Sequence, residues 1–343
     1  LGVQLAQAEA FRYVFGPVMS GRLGRSLGLD LLGRRVCSMN CVYCESGALE
    51  QLTLVRKAYV PAPALLAELE RWEAARIAAN QALPDVVTLG GLGEPTLNSD
   101  LPAIIKGVRR LLPGVPVAVL TNSTLMTDPA VRAELTAADM LLPSLDSLAP
   151  EDFARVNRAH PGLDPKAIAD GILAFREDSQ ARHTKMFLEI LLVAGVNDSE
   201  QNLELLAAFC NRLQPDRVDV VTLSRPGTEA CAQAVDTQTL SRWRERLGQT
   251  VAALKPGAGT RLAEREKNGQ EQTRGMQPEE LRARLLASLA RRPQTGAQLA
   301  EALLADQGEV SAVLVELLGA GRIAVRQQDG QDYYQARTDQ PTP

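Results

Sequence analysis

Three of the chain's five cysteines fall within eight residues, in the run Cys37-Ser38-Met39-Asn40-Cys41-Val42-Tyr43-Cys44. A C-x3-C-x2-C spacing lets one tight loop present three thiolates to a single metal centre. Soft thiolates select iron–sulfur clusters, zinc or Cu(I). A closed zinc site takes four protein ligands, and a ferredoxin-type cluster takes four cysteines. Both histidines, His160 and His183, are distant in sequence, as are Cys210 and Cys231. Three thiolates on a four-iron cluster leave one iron without a protein ligand, and cofactor or substrate chemistry can occur there. The alternative is a structural zinc site completed by Cys210 or Cys231.

A second group of residues lies downstream, in Gly90-Gly91-Leu92-Gly93-Glu94-Pro95-Thr96. The glycines follow a strand-like run at 85–89, where they let backbone approach a ligand closely. Glu94 offers a carboxylate to a cationic amine. Further polar or Gly-rich stretches at 121–123, 144–146 and 224–227 also follow strand-like runs.

The elements that position these groups alternate in type. Strands are expected at 27–32, 85–89, 115–120, 139–145, 186–193 and 217–223. Helices are expected at 63–79, 100–111, 129–136, 165–176, 199–213 and 237–254. Six strand–helix units in series imply parallel strands with right-handed crossovers. The expected fold is α/β, an open or partial (βα)6 barrel spanning residues 1–254, with a doubly wound sheet as the alternative. In either, ligands sit at the carboxyl ends of the strands. Residues 255–277 lose this rhythm and read as a linker. Residues 278–337 read as three helices and a hairpin turning at Asp329-Gly330, a winged helix. Residues 338–343 read as a frayed tail.

Composition narrows the function classes. A formal net charge of −4 over 343 residues argues against an extensive basic surface. No apolar run approaches a membrane span, and no basic-then-apolar leader opens the chain. Scattered, odd-numbered cysteines do not form a disulfide framework, so a reducing cytoplasmic location is expected. The winged helix carries seven arginines and no lysine against eight acidic residues. Its presumed recognition helix, 309–318, has no Arg, Lys, Asn or Gln for base edges. Nucleic acid is therefore not favoured as its partner. Docking of a protein or peptide, or a lid over the barrel mouth, is favoured.

The cysteine run, followed one strand later by the Gly/Glu run, resembles the signature of the radical S-adenosylmethionine (SAM) superfamily. Phe15-Gly16-Pro17-Val18, Arg22 to Gly28, Thr121-Asn122-Ser123, Ser144-Leu145-Asp146, Asn157-Arg158, Gly195 to Asp198 and Arg225-Pro226 are similar to motifs of one subfamily. It comprises mostly uncharacterised iron–sulfur oxidoreductases related to 4-demethylwyosine synthase. The resemblance implies a partial TIM-type barrel with a [4Fe–4S] cluster on Cys37, Cys41 and Cys44. It implies SAM chelated to the open iron, cleaved to a 5′-deoxyadenosyl radical that abstracts hydrogen from a substrate. It places Tyr43 near the adenine and Gly91, Gly93 and Glu94 at the SAM amino group. Asn122, Ser144 and Asp146 become candidates for ribose and carboxylate contacts. It also implies an electron donor such as flavodoxin or ferredoxin. The substrate stays open among RNA, peptide and small molecule. The wyosine enzymes hold a second cluster on N-terminal cysteines; no cysteine precedes Cys37 here, and Cys210 and Cys231 are expected to pack as small apolar side chains. Arg22 and Arg25 either bind an anion or pair with carboxylates. Lys185, an isolated cation at the start of the fifth strand, is expected to be an exposed strand-edge lysine, with Schiff-base formation on a carbonyl substrate as the alternative. A second class of function, an iron–sulfur sensor reading nucleic acid or a protein partner through the winged helix, would not need the Gly/Glu strand end.

Overall fold

The computed structural model describes residues 11–20, 22–252, 278–303, 305–328 and 330–337. The expected linker at 255–277 and tail at 338–343 lie outside them. The chain opens with a hairpin not foreseen from sequence, β1 (Val14–Ser20) against β2 (Gly24–Asp30). The cysteine loop follows, held by a two-residue parallel pair, β3 (Val36–Cys37) and β4 (Gln51–Leu52). Then come α1 (Ala62–Ala78), β5 (Val86–Gly90), α2 (Leu101–Leu111), β6 (Val117–Thr121), α3 (Pro129–Leu135) and β7 (Met140–Pro143). A short helix, α4 (Pro150–Asn157), precedes α5 (Pro165–Glu177), β8 (Lys185–Leu192), α6 (Glu200–Leu213), β9 (Arg217–Thr222) and α7 (Thr237–Ala252).

The main sheet runs β1-β2-β5-β6-β7-β8-β9. From β2 to β9 every pair is parallel and the order never reverses. A doubly wound sheet needs a reversal of strand order, so the partial barrel is the architecture. Local patterning explains it. In β8, Met186, Leu188, Ile190 and Leu192 are buried, while Lys185, Phe187, Glu189 and Leu191 alternate onto the other face. On α2 the buried Leu101, Ile104, Ile105 and Val108 form one stripe facing the sheet. Helices open on N-caps such as Asp164 and Ser199, whose side chains accept from Ala167 N at 2.8 Å and Asn202 N at 3.2 Å.

The C-terminal segment builds its own core. Helices α8 (Pro278–Leu289), α9 (Gly296–Leu303) and α10 (Gln307–Gly319) bury Leu285, Leu299, Val310 and Leu314. The antiparallel strands β10 (Ile323–Gln328) and β11 (Gln331–Ala336) follow, paired from Ile323↔Ala336 to Gln328↔Gln331. This module reaches both edges of the open barrel. On the β1 side, Arg291 pairs with Asp30 at 3.5 Å, stacks on the Phe15 ring at 4.1 Å and donates to Arg12 O at 2.7 Å. Beyond β9, Tyr333 Oη donates to Ser224 O at 2.9 Å.

Asp30 is 1% exposed and also accepts from the backbone N–H groups of Leu32, Gly33 and Leu92. Arg291 is thus the only charge partner of a buried carboxylate among the described residues. Removing one member of a buried pair strands the other. Arg291→Ala is expected to lower stability by about 3 kcal/mol in urea unfolding; an unchanged midpoint would show that the pair contributes nothing.

Candidate functional site

The cysteine loop is pinned along its backbone. Asn40 N donates to Asn157 O at 3.0 Å and Val42 N to Val156 O at 3.0 Å. His160 N donates to Ser38 O at 2.9 Å. The end of α4 therefore templates the loop, although α4 itself was not expected from sequence. On the other side, Thr228 Oγ1 donates to Cys44 O at 2.7 Å. Gly227 lies so close to Tyr43 that a Cβ there would stand 2.9 Å from Tyr43 Cα.

Two buried carboxylates flank the thiols. Glu94, 1% exposed, accepts from Thr96 N at 3.1 Å and from the Thr96 hydroxyl. It also accepts from Thr121 Oγ1 at 2.7 Å and from Asn122 N at 2.7 Å. Asn122 is held by Thr124, whose N and Oγ1 donate to its Oδ1, so its Nδ2 faces Cys37 Sγ at 3.3 Å. Asp146, 3% exposed, mirrors this arrangement at the end of β7. Its carboxylate accepts from the Tyr43 hydroxyl, from Asn157 Nδ2 at 2.7 Å and from Leu191 N at 2.9 Å. Asn157 Nδ2 in turn points at Cys41 Sγ at 3.4 Å. Each carboxylate thus fixes an asparagine whose amide donates to a cysteine sulfur.

Electrostatics follow from this burial. Burial pushes the Cys37 thiol up to about 12, helped by the nearby Glu94 charge. Cys41 is pushed well above its ordinary value by burial and then by Asp146, and Cys44 is raised by burial. Burial also raises the carboxyls of Glu94 and Asp146, against the hydrogen bonds that favour their charged forms.

Most of the residues anticipated from sequence come together here. Glu94, Asn122 and Cys37 form one hydrogen-bonded group, Asp146, Tyr43 and Cys41 form a second through Asn157, and Cys44 joins the second through the backbone. Gly91 and Gly93 make the approach possible. A Cβ on Gly91 would lie 2.3 Å from Asp30 Oδ1, and one on Gly93 only 1.7 Å from Val36 O. Ser144 is bound through its backbone, its N donating to Thr121 O at 2.8 Å and its O accepting from Ser123 Oγ at 3.0 Å. Its hydroxyl has no protein partner among the described residues. Sequence reasoning missed Ser38, Thr121 and Thr124 as parts of the network and gave Asn157 no role. Their common signal is a small polar side chain immediately after a strand or helix end. Lys185 is exposed at the start of β8, as expected, but it is not isolated, because its Nζ pairs with Asp216 at 3.4 Å. One other expectation is corrected. Cys210 packs in the core, but Cys231 is exposed.

The donor set fits an iron–sulfur cluster better than one ion. Among the described residues, no three His, Cys, Asp or Glu side chains converge as a single-ion site requires. A zinc site would need four ligands about 2.0–2.3 Å from one point. The three thiols lie near one another, two with amide donors on sulfur, and the buried Asn157 Oδ1 beside them has no protein partner. Raised thiols are weak nucleophiles. In cluster-free protein at pH 8, brief iodoacetamide treatment is expected to alkylate exposed Cys231 well before Cys37 or Cys41, read by peptide mass spectrometry. Equal rates would contradict the burial of the thiols.

The chain is 36% identical over 222 residues to the UPF0026 protein of Synechocystis, covering 63% of this chain and 77% of that one. It is 27% identical over 312 residues to a protein of Brachyspira hyodysenteriae named GTPase Obg, covering 90% of this chain but only 43% of that relative's length. A radical SAM methyltransferase of Sphaerobacter thermophilus superposes with TM-score 0.48 at 17% identity, over 66% of this chain and 63% of that one. Among the described residues, no helix is long and apolar enough to cross a membrane. The family model for the radical SAM superfamily matches residues 34–206, half of the chain, from just before the first cysteine into α6. With its three thiols half-buried beside the carboxyl ends of parallel strands, this protein belongs to the radical SAM superfamily, a family of enzymes that work with a [4Fe–4S] cluster and SAM.

Proposed function

We propose that Cys37, Cys41 and Cys44 ligate the cluster and that SAM binds beside it at the carboxyl ends of β5 to β9. The observation that carries this reading is the pair of amide-to-sulfur hydrogen bonds from Asn122 and Asn157. Such donors lower the charge density on coordinated sulfur. Bound there, the cluster and SAM supply a 5′-deoxyadenosyl radical that takes a hydrogen atom from the substrate.

The chain's own residues divide the remaining work. Glu94 Oε1 is saturated by Thr96 and Thr121, whereas Oε2 accepts only from Asn122 N. One acceptor position on Oε2 is left, which supports contact with the SAM amino group. Gly91 and Gly93 keep that loop tight against Asp30 and Val36. Asp146 is a positioning residue: it fixes Tyr43 for the adenine and Asn157 for Cys41. The Ser144 hydroxyl stays available to the ribose or carboxylate, and Asn122 orients Cys37. An electron donor of the flavodoxin or ferredoxin type completes the system.

We further propose that, within the described residues, 11–252 carry the catalytic barrel and 278–337 a winged helix. The winged helix serves as a lid. The Arg291–Asp30 and Tyr333–Ser224 contacts support that use. The exposed Val315 on α10 and the absence of basic side chains on that helix make its outer face a poor reader of a nucleic-acid groove.

The test is anaerobic reconstitution followed by SAM and dithionite. 5′-Deoxyadenosine is expected, and Cys41→Ala is expected to lose the cluster. Glu94→Gln is expected to weaken SAM binding roughly tenfold with iron content unchanged. A fully loaded cluster that yields no 5′-deoxyadenosine would favour a sensor.

A further inference from the structure

A cavity of ≈1960 Å³ at the barrel mouth is walled jointly by the barrel, β1 and the C-terminal module. Nine arginines and four glutamates line it, with no lysine and no aspartate. Several of these guanidiniums have carboxylate partners: Arg22 with Glu189, Arg76 with Glu73, Arg282 with Glu316 and Arg291 with Asp30. Two others are less fully paired. Arg292, half-buried in the turn between α8 and α9, has no hydrogen-bond or ion-pair partner among the described residues. Arg225, in the loop after β9, uses one nitrogen, Nη1, on Glu45 Oε2 at 3.3 Å; its Nε is buried without a partner.

Arg225 and Arg292 share a small recess with Gln294 and Gln298, and the exposed Glu301 stands on its wall. Like charges placed together in a partly desolvated recess repel unless an anion joins them. Burial and then the neighbouring Arg225 disfavour charge on Arg292, and Glu45 offsets them only in part. A carboxylate is satisfied by one guanidinium fork. A tetrahedral phosphate presents enough oxygens for two forks and a side-chain amide. The recess is also close to the chemistry. Gly227, two residues after Arg225, packs on the Tyr43 backbone, and Tyr43 and Cys44 line the same large cavity.

We propose that Arg225 and Arg292 form a phosphate-binding subsite, contributed jointly by the barrel and the C-terminal module, that anchors a phosphate-bearing substrate. This rests on the radical SAM reading of the barrel mouth. The substrate's phosphate sits in the recess and its remaining atoms extend through the cavity toward Tyr43. The module thereby supplies a substrate-positioning residue, and a barrel without Arg292 lacks half of the subsite.

The experiment uses the full-length, anaerobically reconstituted protein and inorganic pyrophosphate as the probe, followed by calorimetry at low ionic strength. One site is expected. Arg292→Gln and Arg225→Gln should each weaken it at least about tenfold, Arg292→Lys should retain part of it, and Arg109→Gln, on the outer face of α2, should not change it. Iron content and SAM binding, measured on the same samples, should stay at wild-type levels. No pyrophosphate binding by the wild-type protein overturns the proposal, as does unaltered binding by Arg292→Gln. Loss of iron or SAM binding in both Arg292 variants also overturns it, because the residue would then be structural. Failure of the wild-type protein to hold iron or SAM sinks the radical reading instead and leaves the pyrophosphate result to be judged alone. Competition identifies the source of the phosphate: displacement by a nucleoside diphosphate but not by short single-stranded RNA assigns a small molecule, and displacement by the RNA assigns a nucleic-acid backbone.

Discussion

The concentration of acidic groups at one end of the sheet is the constraint from which the rest of this site follows. Three thiols and two carboxylates are gathered where burial penalises every negative charge among them. Backbone N–H groups, hydroxyls and two asparagine amides compensate the carboxylates and begin to compensate the sulfurs. In the proposed cluster, the positive charge of iron supplies the rest of the compensation for three thiolates. Cluster binding and order in this loop are therefore linked, since ligands must lose protons as metal arrives.

That requirement accounts for features that look unrelated in the sequence. Gly93 tolerates no Cβ because Val36 must close the β3 end of the cysteine loop against it. Helix α4 ends at Asn157 with Arg158 in the left-handed region, φ 42°, and the chain turns there to hydrogen-bond the loop along Ser38 to Val42. Inside the barrel, Arg22 pairs with Glu189 across from the β1–β2 turn. This places a matched charge pair, instead of a lone carboxylate, beside the reactive end.

The thiols, the Gly/Glu strand end and the order of strands were legible from spacing and periodicity, because each is a local pattern. The runs predicted as β5 and α6 match to within two residues, since alternation and capping are written into consecutive residues. The amide-to-sulfur contacts were not legible. Asn122 and Cys37 are separated by 85 positions, and Asn157 and Cys41 by 116. Such pairings are set by how strand ends converge, which no window of sequence contains. The β1 strand was missed for a similar reason. It is pinned by Glu68 on α1, whose carboxylate accepts from Tyr13 N at 2.6 Å and Val14 N at 2.7 Å, a contact with no signature in the Val14–Ser20 segment itself.

An open barrel carries two unpaired strand margins, and here one small module lies against both. Its Arg291 holds the β1 side and its Tyr333 the loop after β9, so one module bridges the seam that two further strands would close in a complete barrel. The clasp is made of side-chain contacts and not of a backbone ladder. Breaking those contacts would unravel no sheet and would leave the hydrogen bonds that pin the cysteine loop to α4 in place.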